Sequence, residues 1–204
     1  MIKNIVFDMG NVLIEYNPDE IMKKYKIVDQ TEKEQVLKVV FNSVEWVQTD
    51  RGTISDDEAL VKFKRGLPEN IHTRLEEMFK YWHENRPIIE GMSDIIKSLK
   101  DNGYKLYLLS NASQRYHEIR KYLPEIDLFE GEFVSSDWHI NKPDLQIFKT
   151  FCTYHGVAPR ECFFIDDSPA NIEAAMYMGM SGFVFRGNVL ELKEELKTHG
   201  INVD

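Results

Sequence analysis

Cysteine is scarce in this chain of 204 residues: Cys152 and Cys162 are the two it has, with no C-x-x-C pair between them. That pattern excludes a disulfide framework and fits a reducing, cytoplasmic setting. The six histidines show no H-x-x-x-H or H-x-H spacing, so no zinc site is expected. No apolar run approaches the roughly 20 residues of a membrane-spanning helix. The opening MIKNIVFDMG has one lysine and a short apolar run ending at Asp8, and lacks the regions of a secretory signal. Positive charge is also short, with 25 Lys and Arg against 34 Asp and Glu for a formal net charge of −9. Such a field repels nucleic acid and anionic membrane surfaces. A small anionic substrate stays open, because a few donors or a metal can reverse the sign inside a pocket.

What is present is ordinary for a globular protein: 43% hydrophobic and 29% charged residues. The length allows one sizeable core, or a core with a small satellite. Three short apolar runs end in polar residues. Ile2 to Phe7 runs into Asp8, Leu106 to Leu109 into Ser110 and Asn111, and Cys162 to Ile165 into Asp166 and Asp167. Buried parallel strands read as continuous runs of this kind. Glu132 to Val134 and Gly182 to Phe185 are weaker candidates.

Helical spacing lies between these runs. Ile95, Ile96 and Leu99 precede a stop at Gly103, while Pro143 and Pro169 open two further helical stretches. From about residue 91 onward this predicts βαβ units around a parallel sheet, an α/β, Rossmann-like core. Asn17 to Asn85 has no convincing strand but helical patterns at Ile21 to Tyr25, Val36 to Phe41, Ala59 to Phe63 and Leu75 to Trp82. Ser55 and Glu58 have capping-box spacing. The predicted organisation is therefore a core of residues 1–16 and 88–204 with a small all-helical cap, 17–87, inserted after the first strand. Glu15 to Pro18 and Asn85 to Gly91 are the predicted hinges.

Open α/β sheets bind ligands beyond the carboxyl ends of their strands. Asp8, Ser110, Asn111, Asp166 and Asp167 should therefore meet in one crevice, with Lys142 of N-K-P-D on the same side. Three clustered carboxylates cannot all stay ionised without positive charge nearby, and one lysine is not enough. Mg²⁺ is the natural remedy. A metal and a lysine beside a hydroxyl and an amide suit a phosphoryl group that a carboxylate attacks in line.

FDMGNVL, LLSNAS, KPDLQIF and FFIDDSPANIEAA resemble, in order, the four motifs of the haloacid dehalogenase superfamily, and the helical stretch resembles its cap. The resemblance implies that Asp8 is a nucleophile forming an aspartyl-phosphate. It implies that Ser110 and Asn111, with Ala112 beside them, hold the transferring group, and that Lys142 stabilises its charge. Asp167, Asp8 and the Gly10 carbonyl would coordinate Mg²⁺, with Asp166 assisting directly or through water. Asn171 stands where many relatives have a third acidic residue. In the cap, Trp46 and Arg51 are candidates to touch substrate. Trp138 and His139 either shape the pocket or pack the loop.

Gly10 departs from the pattern, because phosphatases of this superfamily usually carry there an Asp that serves as acid and base. Three readings follow. The leaving group is good, as in a sugar 1-phosphate; D-x-G-N-V and RGTIS (Arg51 to Ser55) resemble a subset that includes a bacterial glucose-1-phosphatase. A cap carboxylate, Glu15, Glu45 or Asp50, supplies the proton. Or turnover is lost. Dehalogenation fits poorly, since the acidic pair points to metal. The function expected is a Mg²⁺-dependent phosphatase for a small phosphorylated metabolite, acting as a monomer or weak dimer. A dormant metabolite-binding protein and a phospho-accepting receiver are the alternatives. Receivers are shorter, lack the insertion and place their acidic pair first.

Overall fold

Five parallel strands form one sheet in the order β3-β2-β1-β4-β5: β1 (Asn4–Phe7), β2 (Lys105–Ser110), β3 (Gly131–Val134), β4 (Cys162–Asp166) and β5 (Ser181–Val184). The computed structural model describes residues 1–84 and 86–203. Asp204 and Asn85, where the second predicted hinge begins, lie outside the described residues. All five apolar runs read from the sequence are strands.

The central strand β1 pairs Ile5 with Leu106 of β2 on one side and with Phe163 of β4 on the other. Alternate residues enter opposite cores. Ile5, Phe7, Leu108 and Ile165 share one cluster, while Val6, Leu109 and Phe164 share another. Burial on both faces is why these strands read as unbroken apolar runs.

Between β1 and β2 the chain makes α1 (Pro18–Lys24), α2 (Gln30–Val36) continued by a π-helical turn, α3 (Val44–Asp50), α4 (Asp56–Arg65) and α5 (His72–Tyr81). These helices enclose a cluster of their own that includes Ile21, Val40, Phe63, Leu75 and Phe79. The Ser55–Glu58 capping box that starts α4 is present. Helix α3 escapes the helical pattern because it buries only Thr49 and so carries no apolar stripe. The chain segments entering and leaving the insertion are tied together. Glu15 N–H donates to the Pro87 carbonyl at 2.8 Å, Arg86 donates to the Glu15 carbonyl, and Ile14 and Ile88 form an antiparallel bridge.

The remaining helices are α6 (Met92–Asp101), α7 (Tyr116–Ile119), α8 (Ser135–Trp138), α9 (Leu145–His155), α10 (Pro169–Tyr177) and α11 (Val189–Thr198). Side chains of α6 and α11 cover one face of the sheet, and those of α9 and α10 the other. Pro169 opens α10 as predicted, whereas α9 begins two residues after Pro143, at Leu145, where the Asp144 carboxylate caps its first turn. No helix among the described residues is long and apolar enough to cross a membrane.

Candidate active site

Strands β1, β2 and β4 lie side by side; Asp8 directly follows β1, and Ser110 and Asp166 end β2 and β4, which brings these residues to one edge of the sheet. Lys142 reaches the same edge from the loop before α9. Its Nζ lies 2.9 Å from Asp8 Oδ1 and 2.6 Å from Asp166 Oδ2, and donates to the Leu109 carbonyl at 2.8 Å. Asn171 Nδ2 donates to both oxygens of Asp166, at 2.9 and 3.0 Å, and Ser168 N–H adds a third bond. Asp167 is half-buried, and its Oδ2 accepts from Asn11 Nδ2 at 2.9 Å.

The electrostatics are out of balance without a further cation. Burial pushes the Asp8 carboxyl up to about 6; the Lys142 ammonium opposes this and the Asp166 charge adds to it. Burial acts to lower Lys142, yet the Asp8 and Asp166 carboxylates outweigh it, and its pKa ends above the ordinary lysine value. Asp8, Asp166 and Asp167 each offer one oxygen within 4.8 Å of the others. One ammonium against three carboxylates leaves two negative charges uncompensated. An all-oxygen donor set with that excess fits a hard divalent cation.

Beside this cluster opens a cavity of about 270 Å³. Ser110, Asn111 and Ala112 line it from the sheet edge, and Tyr16, Trp46 and Trp82 from above. Ser110 is buried at the tip of β2. The Asn111 side chain is engaged elsewhere: Nδ2 donates to the Lys142 carbonyl at 2.9 Å and Oδ1 accepts the Lys142 N–H at 2.8 Å. Gly10 lines the cavity as well. Of the two cap candidates, Trp46 reaches the cavity and Arg51 does not. Arg51 follows the last turn of α3 and is exposed, and its carbonyl meets His139 Nδ1 at 3.1 Å. Trp138 packs the loop, stacking on Phe133 with ring centroids 4.6 Å apart.

Comparison with known proteins decides the family: the model of the haloacid dehalogenase-like hydrolases matches residues 2–179. The chain belongs to that family. A sesquiterpene phosphatase of Aspergillus oryzae is 30% identical over 183 residues, covering 88% of each chain. A D-ribitol-5-phosphate phosphatase of Bacteroides thetaiotaomicron is 26% identical, over 90% of this chain and 91% of its own. Among solved structures, a haloacid dehalogenase family enzyme of Bacteroides thetaiotaomicron, in complex with magnesium and inorganic phosphate, superposes with a TM-score of 0.68. It is 26% identical, over 92% of this chain and 96% of its own.

In this haloacid dehalogenase-like hydrolase several residues of the site have no role assigned from the sequence. Asn11 adopts a left-handed backbone (φ 54°) that lets its side chain reach Asp167, and its Oδ1 accepts the Tyr16 N–H at 2.9 Å. The Asn after Gly10 is the one hint, since Asn tolerates that conformation. Ser135 and Asn141 hold the end of α3: Ser135 Oγ donates to the Asp50 carbonyl at 2.5 Å and Asn141 Nδ2 to the Val47 carbonyl at 3.0 Å. The Val47 carbonyl also accepts the Arg51 N–H, so Asn141 adds a second bond there, while Ser135 supplies a partner for the helix-end Asp50 carbonyl. Arg115 lines the cavity and pairs with Asp56 at 2.5 Å. None of these contacts has a spacing that a single sequence exposes.

Proposed function

We propose that the chain is a Mg²⁺-dependent phosphoric monoester hydrolase for a small phosphorylated metabolite, working through an aspartyl-phosphate on Asp8. The observation that carries this reading is the Lys142 ammonium held between Asp8 and Asp166, with Asp167 completing the acidic set beside a cavity. Asp8, Asp167 and the Gly10 carbonyl would hold the ion, with Asp166 assisting directly or through water. Bound there, magnesium would supply neutralisation of the phosphoryl oxygens. Lys142 steadies the Asp8 carboxylate and offsets charge that develops on the phosphoryl group. Ser110 and the Asn111–Ala112 backbone form the sheet-edge wall against which that group rests. The phosphatase names of the relatives support the same reaction class.

Residues 17–87 act in this reading as a cap that excludes water and selects the leaving group. Trp46 and Trp82 form its inner face over the cavity, beside Tyr16 at the end of the core segment that leads into it. At about 270 Å³ the cavity is below the ~300–1,000 Å³ common for ligand sites, which favours a small substrate. A sugar 1-phosphate is of this size and offers a flat C–H face to the aromatic rings. The D-x-G-N-V motif supports the same subclass. Phosphate release from a panel of sugar 1-phosphates, sugar 5- and 6-phosphates and prenyl phosphates, with and without Mg²⁺, tests the reading. Metal-dependent release that disappears in Asp8→Asn is expected; release that survives in Asp8→Asn rejects the nucleophile.

A further inference from the structure

Gly10 leaves the site without a proton carrier at the position beside the nucleophile, and the cavity lining shows what stands in for it. The titratable groups lining the cavity are Asp8, Tyr16, Asp50, Arg115, Tyr116 and Asp167. On the reading above, Asp8 attacks and Asp167 binds the ion. Arg115 is permanently cationic and paired with Asp56. Burial raises both tyrosine phenols above their ordinary value, and Tyr116 already donates to Glu132 at 2.6 Å. Asp50 is left. The other two carboxylates of the sequence argument lie elsewhere: Glu15 is exposed, and Glu45 is 3.7 Å from Lys62.

We propose, on the basis of the phosphatase reading, that Asp50 is the catalytic acid and base, placed by the end of α3 over the leaving oxygen that Gly10 cannot serve. Its position is built from both sides. The Ser113 backbone N–H, two residues after Asn111, favours the charged form of the carboxyl, and the Asp50 carbonyl is held by Ser135 of the core. The groups that face it are Asp56 from α4, Asp8 from the end of β1, Arg115 after β2 and the Tyr16 phenol. Among the described residues no cation pairs with it. Burial, reinforced by Asp56 and Asp8, pushes the Asp50 carboxyl up to about 7, where it can hold a proton or release one near neutral pH.

The step balances. Asp8 attacks phosphorus as the bond to the ester oxygen breaks, and that oxygen takes the Asp50 proton and leaves as the alcohol. The Asp50 carboxylate then takes a proton from water as its oxygen attacks phosphorus. The bond to Asp8 breaks, inorganic phosphate leaves, and both aspartates are restored. Nothing in the backbone forbids the usual arrangement, because a Cβ at Gly10 would meet only Tyr16 Cβ at 3.6 Å. The glycine has therefore ceded a role that α3 has taken over. This also frees the substrate from needing an acidic leaving group.

The test is single-turnover release of substituted phenols from phenyl phosphates of graded leaving-group acidity, with Mg²⁺, in wild type, Asp50→Asn and Asp50→Asn/Gly10→Asp. Asparagine matches the aspartate in size and leaves the Ser135 bond to the residue 50 carbonyl in place. Wild type should vary little across the series. Asp50→Asn should slow least for nitrophenyl phosphate and fall by about 10²–10⁴-fold for the least acidic phenol. The double variant should recover a shallow dependence. Equal slowing across the series, or no change, overturns the assignment. Asp8→Asn run alongside reports separately on the nucleophile: phenol release at the wild-type rate there rejects the aspartyl route, and the role of Asp50 with it.

Discussion

The Asn111 carboxamide closes a two-bond ring with the Lys142 backbone, donating to its carbonyl at 2.9 Å and accepting its N–H at 2.8 Å. The residue at the end of β2 thereby sets the height of the lysine that bridges Asp8 and Asp166. In Asn111→Ala both bonds are lost, at a cost of about 1–2 kcal/mol in folding stability. kcat should fall at least about tenfold as Lys142 moves off the phosphoryl group. Chemical denaturation and steady-state phosphate release check the two effects separately.

Lys142→Met removes the ammonium and leaves Asp8, Asp166 and Asp167 facing one another. A buried charge stripped of its partner typically costs about 3–5 kcal/mol. Thermal melting in EDTA should show that loss as a large drop in Tm. Mg²⁺ should restore more of it in the variant than it adds to wild type, because the ion then answers the whole acidic set. An equal Mg²⁺ increment in both proteins would mean that the ion does not bind at these carboxylates.

In EDTA, Asp8 and Asp50 should withdraw stability from the fold as pH rises from about 4 to 7. Asp8 and Asp50 keep their protons to about 6 and about 7 in the fold, against 3.8 for the ordinary side chain. At these two groups the native state holds protons that the unfolded chain has released, and their contribution to stability declines through that window. Asp50→Asn removes the upper part of the decline. Above pH 7 the variant should be more stable than wild type by roughly 1–3 kcal/mol, one pKa unit being worth about 1.4 kcal/mol. Melting curves across pH measure this directly.

Gly52 marks where the insertion touches the core. It has φ +70°, and a Cβ there would lie 2.4 Å from the Ser136 carbonyl oxygen. Gly52→Ala should push the end of α3 away from Ser135 and Asn141, carrying Asp50 and Trp46 with it. kcat and KM should both worsen, with a stability loss on the order of 1–3 kcal/mol. Gly10→Ala, whose Cβ meets only ordinary contact, should leave stability nearly unchanged. Paired kinetics and melting of the two variants make the contrast.

Much of the site was legible in the sequence because sheet topology does the assembling. Asp8, Ser110 and Asp166 each end an apolar run, and a parallel sheet puts those ends together whatever the loops do. Two-sided burial made the runs of β1, β2 and β4 visible, whereas β5 is half-buried along its length and β3 at its start, which is why their runs read weaker. The contacts between insertion and core were not legible. Helix α3 buries a single threonine, so no periodicity announced it, yet it carries both Trp46 and Asp50. Arg51 and Asp50 are adjacent and equally polar, and only the helix phase sends one to solvent and the other to the cavity. Likewise, the Asn11–Asp167 and Ser135–Asp50 contacts join residues 156 and 85 positions apart and have no local signature.

The central claim is a covalent phosphoryl group on Asp8, formed only with a divalent ion in the acidic cluster. Acid-quenched turnover of a hydrolysed phosphate ester, followed by peptide mass spectrometry, measures it. A phosphorylated peptide carrying Asp8 is expected in Mg²⁺, and none in EDTA or in Asp8→Asn. Rapid phosphate release with Asp8 never modified, or release undiminished in EDTA, would contradict it.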